Sequence, residues 1–61
     1  MDYLAELLLE ARNAIAECSE QRSKIIELYR MAVGEIEEGG SESHEYELFM
    51  GEIEEIKQGS Q

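Results

Sequence analysis

The chain has 61 residues and carries 15 Asp and Glu against 5 Lys and Arg, for a net charge of −10. That length allows one domain, and a single chain of this size buries only about 60% of the surface it exposes when unfolded. With one cysteine it cannot close a disulfide on itself and no metal-ligand cluster is visible, so self-association is the expected source of added stability, while its acidic field repels nucleic-acid backbones and anionic membranes.

From Asp2 to about Glu38 the composition is helix-forming: Ala, Leu, Glu and Arg dominate, with Gly34 the only glycine and no proline. Leu4, Leu8, Ala11, Ile15, Cys18, Arg22, Ile25, Tyr29, Ala32 and Ile36 follow a 4-3-4-3 spacing. This is a heptad seam, and it predicts one helix over 2–38, roughly 55 Å long. Glu6, Asn13, Glu20 and Glu27 recur on the opposite face and are all polar, as a solvent face requires. A competing reading breaks the helix at Ser19-Glu20-Gln21-Arg22-Ser23, with Ser19 as an N-cap. The phase runs unbroken from Cys18 through Arg22 to Ile25, and a loop inserted there shifts such a phase, so the continuous helix is expected.

Gly39-Gly40-Ser41 ends that helix. Glycine suits a left-handed C-cap, and Ser41 or Ser43 suits the N-cap of a second helix. The expected turn is 39–42 and the second helix 43–57, with an apolar stripe of Tyr46, Phe49, Met50, Ile53 and Ile56. A frayed tail, 58–61, closes the chain. A short turn folds the second helix back antiparallel, onto Ile25, Tyr29, Ala32 and Ile36. Being short, it covers only the half of the first helix from about Lys24 to Glu38.

The predicted fold is therefore all-α: an antiparallel helical hairpin, in one domain over 1–61, assembling as a homo-oligomeric helical bundle. Leu4, Leu7, Leu8, Ala11, Ala14, Ile15 and Cys18, with Arg22 as a polar member, lack cover within the hairpin. They form the expected oligomer interface, because soluble monomers rarely leave such a stripe open. Arg22 either packs its stem and turns its head to water or fixes the register of the pairing.

Chemistry is sparse. His44-Glu45-x-Glu47 has a spacing that metal sites use, but further ligands have to come from Glu35 or Glu38, and a surface histidine among glutamates is the simpler reading. Cys18 reads as a small apolar core residue. No nucleophile, phosphate loop or carboxylate pair can be assembled, so no catalytic residue, metal or cofactor is expected, and the chain is not read as an enzyme. No apolar run is long enough to span a membrane, and Asp2 precedes the apolar stretch where a secretory signal has basic residues. A cytoplasmic location is the resulting expectation.

Function is read from charge. Residues 35–61 hold nine glutamates and only Lys57 as a base, for −8 of the net charge. Glu35, Glu37 and Glu38 crowd the C-terminal end of a helix, where its macrodipole disfavours acids. Leu48 and Leu9 stand as leucines away from the apolar stripes. The expected partner surface is Glu35, Glu37, Glu38, Glu45, Leu48 and Glu52. The chain is thus read as a small acidic interaction module that sequesters or inhibits a protein partner, basic or DNA-binding, with no direct nucleic-acid or membrane binding. Phage-type inhibitors and DNA mimics share its size, charge and shape.

Two alternatives stand beside that reading. Glu38-Gly39-Gly40-Ser41-Glu42-Ser43-His44-Glu45-Tyr46 resembles the hinge of the two-helix needle co-chaperones of type III secretion, in a Gly-Gly turn with an aromatic six residues further on. The resemblance implies a chaperone or scaffold subunit of a larger assembly and carries no residue roles. The other is an oligomeric sponge for a small anionic ligand such as a nucleotide, lined by Arg12, Arg22, Lys24 and Arg30.

Overall fold

The computed structural model describes residues 1–59, which are helical with no strand. Helix α1 spans Tyr3–Glu17, a single 3₁₀ turn spans Ser19–Gln21, α2 spans Arg22–Glu37 and α3 spans Glu42–Gly59. The second helix of the sequence reading is thus α3, longer at its C-terminal end than expected. Of the expected tail, 58 and 59 belong to α3, and Ser60 and Gln61 lie outside the described residues.

The continuous helix over 2–38 does not form. Cys18 leaves the helical region at φ −128°, ψ 62°. Its N–H still donates to the Ala14 carbonyl at 2.8 Å, and the Gln21 N–H closes the 3₁₀ turn on the Cys18 carbonyl at 2.9 Å. No side chain caps this turn or the start of α2, so the break owes little to local chemistry. Packing makes it. Interrupting the helix forgoes a few backbone hydrogen bonds, each worth about 1 kcal/mol net. Folding α1 back buries Leu7, Ala11 and Ala14 against Ile25 and Ile53 in one core. Each fully buried Leu or Ile contributes about 1.5–3 kcal/mol, and burial wins. The heptad count could not register this, because the break is built from the seam's own residues and inserts none.

Two contacts between α1 and α3 show the relative direction of these helices. Tyr3 and Tyr46, near the starts of these helices, have ring centroids 5.6 Å apart and planes tilted by 55°. Glu17 and Lys57, near their ends, form an ion pair at 3.4 Å. The two helices therefore run parallel, α2 runs antiparallel to both, and each helix packs on the other two. The bundle measures 35 × 19 × 16 Å between Cα extremes, shorter than the roughly 55 Å rod that an unbroken helix would make.

The helix ends are fixed locally. The Ala5 N–H donates to Asp2 Oδ1 at 3.2 Å, capping α1. At the end of α2 the Gly39 N–H donates to Ile36 and the Gly40 N–H to Glu35, at 3.0 and 2.8 Å. That pair of bonds is the Schellman arrangement, which places a left-handed residue just past the helix, and Gly39 has φ 102°. Gly40 is held by close approach instead: a Cβ there would lie 2.7 Å from the Glu35 carbonyl oxygen. Ser41 Oγ then accepts from the His44 N–H at 3.4 Å and caps α3.

Candidate partner-binding surface

The core defines what remains for function. Leu7, Ala11, Ala14, Ile25, Ala32, Phe49, Ile53 and Ile56 are buried, with Tyr29, Ile36, Tyr46 and Met50 packed half-buried against them. The expected stripe of the last helix and its docking surface are therefore both in the core. Much of the expected oligomer interface is there too. Leu7, Ala11 and Ala14 are covered within one chain, which removes the premise that the first half of the seam lacks cover. Ile15 and Cys18 are half-buried, while Leu4, Leu8 and Arg22 are exposed. Arg22 is not a core position: it opens α2 at the surface.

What α1 does leave open is a face one step round from its buried one. Leu4, Leu8, Arg12 and Ile15 recur at helical spacing, with Leu9 beside them. The acids of α1 (Glu6, Glu10 and Glu17) recur at the same spacing on a different face, so this outward stripe carries Arg12 and no carboxylate.

A second open apolar feature lies between α2 and α3. Leu28, Met31 and Ala32 from α2 and Glu45, Leu48, Phe49 and Glu52 from α3 line a groove of about 280 Å³. Phe49 and Ala32 form its buried floor, whereas Met31 and Leu48 are 60% and 53% exposed. Three residues of the expected partner surface, Glu45, Leu48 and Glu52, are thus brought together. Glu35, Glu37 and Glu38 are exposed at the end of α2 and do not line the groove. Leu28 and Met31 were not among the residues expected at the partner surface. Their spacing of three residues puts them on one face of α2, and the exposure of Met31 shows that α3 covers that face incompletely.

The cationic set is dispersed. Arg12 lies on α1, and Arg22, Lys24 and Arg30 are exposed on α2. Lys24 lines a different groove, with Gln21, Glu52, Glu55, Ile56 and Gly59, where acids outnumber it. Among the described residues no group of three or more His, Cys, Asp or Glu side chains is placed to hold a metal ion, and no helix is long and apolar enough to cross a membrane.

Where α1 meets α3, the Tyr46 hydroxyl is held above the ordinary tyrosine pKa of 10.0, first by burial and then by the carboxylates of Glu10 and Glu6 and by Tyr3. No family model, curated protein or solved structure matches the chain.

Proposed function

We propose that this protein is an acidic helical interaction module that captures a basic protein partner, a DNA-binding protein among the candidates, and thereby sequesters or inhibits it. The observation that carries the reading is the α2–α3 groove, where exposed apolar side chains lie between the carboxylates of Glu45 and Glu52. Buried, desolvated apolar contacts supply affinity at such surfaces, and a surrounding acidic field speeds encounter with a basic partner. The net charge of −10 extends that field over the whole molecule.

The test is affinity purification from the native host with the parent and with Glu37, Glu38, Glu45 and Glu52 all changed to lysine. Glu37, Glu38 and Glu52 are exposed and Glu45 is half-buried at the rim of the groove, so helicity is expected to persist. Capture of one basic protein is expected with the parent and not with the variant, and association should slow steeply from low to high salt. Capture at the parental rate by the variant overturns the reading.

The outward stripe of α1 supports a further part of the proposal, that the module works as a homo-oligomer joined through Leu4, Leu8 and Leu9. The same leucines favour the second reading, a scaffold or chaperone subunit whose α1 docks on an unrelated helix. Co-purification of a neutral or acidic helical subunit, insensitive to salt, would select that reading over the first.

A further inference from the structure

The α2–α3 groove has dimensions that restrict its occupant. Its volume of about 280 Å³ is at the lower end of the roughly 300–1,000 Å³ of small-molecule sites and gives room for one large inserted side chain. Its walls are two antiparallel helices, and a groove between helices is the usual seat of an amphipathic helix read through anchors at i, i+3, i+4 and i+7. The charges have the matching period. Glu45 and Glu52 are seven residues apart on α3 and therefore on one face, about 10.5 Å apart along the axis, and Leu48 lies between them.

On that basis we propose that the groove holds one face of a basic amphipathic helix. One large apolar side chain of the partner seats over Ala32 and Phe49, between Met31 and Leu48. Lys or Arg residues one turn to either side of that anchor meet Glu45 and Glu52. The proposal rests on the reading of the chain as a module for a basic partner and names the segment it recognises. A second copy of this chain is a poor occupant. The outward stripe of α1, the apolar face a second copy would offer, carries Arg12 alone, not a pair of bases a heptad apart to meet Glu45 and Glu52. A lipid surface would have to accept the two glutamates at the groove's rim.

The experiment uses the full chain, isotope-labelled, and two alanine-based helical peptides. The first carries a central Phe with Lys three and four residues to either side, and the second has Ala in place of Phe and the same charge. Binding is monitored by backbone amide shifts at low and physiological salt. The Phe peptide is expected to bind at least about tenfold more tightly, a difference of 1.4 kcal/mol. Its shifts should centre on Leu28, Ala32 and Phe49, and it should gain helicity when bound. Leu48→Gln and Met31→Gln, both exposed helical positions that folding tolerates, should each reduce its affinity to that of the Ala peptide.

Equal binding of the two peptides, with shifts spread over the acidic surface, overturns the groove while leaving the basic-partner reading in place. Shifts centred on Leu4 and Leu8 also overturn it, by moving the site to α1. Failure of both peptides to bind at low salt overturns the groove and the basic-partner reading together.

Discussion

Tyr46 joins three features of the molecule: the start of α3, the ring contact with Tyr3, and the carboxylates of Glu6 and Glu10 on α1. A tilted aromatic pair of this kind contributes about 0.5–1.5 kcal/mol beyond its buried area. Because the folded state raises the Tyr46 pKa above 10.0, the unfolded chain loses that proton first as pH rises. The Tyr46 contribution to stability is therefore complete below pH 10 and is lost as pH climbs through the folded value. Urea unfolding of the parent from pH 8 to pH 11 is expected to show a fall in stability at the alkaline end, and Tyr46→Phe should make that fall shallower. Parallel pH curves for the two proteins would show that Tyr46 ionises no differently when folded. At the same scale, Leu48 was legible as a functional candidate because its position is set by α3 alone. Met31 was not, because its exposure depends on how α3 crosses α2.

At the scale of the elements, the glycines separate chemistry that holds the bundle from chemistry that merely occupies it. Gly39 takes φ 102° in the Schellman turn, where a side chain is strained. Gly51 lies exposed inside α3, and a Cβ there would meet nothing within 4 Å, so alanine can replace it at a gain of about 0.5–1 kcal/mol. Thermal melts should therefore move in opposite directions. Gly51→Ala should melt a few degrees higher, since about 1 kcal/mol shifts a domain of this size by roughly 4–8 °C, and Gly39→Ala should melt lower. A higher melting point for Gly39→Ala would mean that a left-handed residue does not hold the turn. This turn and α3 were readable from sequence because Gly39, Gly40 and Ser41 act through local hydrogen bonds. The break at Ser19–Gln21 was legible only as the competing reading, since no side-chain cap bond or glycine marks it and the core around Leu7 favours it from a distance.

At the scale of the whole molecule, the parallel course of α1 and α3 bears on both the acids of α2 and the assembly of chains. The positive ends of α1 and α3 lie at the same end of the bundle as the C-terminal end of α2. Their fields oppose the penalty that α2 alone would impose on Glu35, Glu37 and Glu38, so those acids are weaker evidence of function than Glu45 and Glu52. The intramolecular cover of Leu7, Ala11 and Ala14 also alters what an assembly needs. If two chains join through the outward leucines of α1, each is already folded before they meet. Sedimentation equilibrium at micromolar concentration is expected to show a multiple of the 7.0 kDa chain. Leu4→Glu with Leu8→Glu should return it to 7.0 kDa with helicity unchanged, since both side chains are exposed in the single chain. A parent that sediments as a single 7.0 kDa species would remove the homo-oligomer and leave the groove as the main apolar surface for a partner.

The two short connections of the bundle, a 3₁₀ turn and a glycine–serine turn, also set a timescale. Among the described residues α1 and α2, and α2 and α3, are neighbours both in space and along the chain, only the α1–α3 contacts span a whole helix, and helical bundles of this kind fold in microseconds to milliseconds. The sequence contains no proline, so no peptide-bond isomerisation adds a phase of tens of seconds. A chain that rebuilds itself this quickly recloses α1 on its neighbours soon after any opening. Any partner that gains by prising α1 away therefore competes with a refolding step of microseconds to milliseconds.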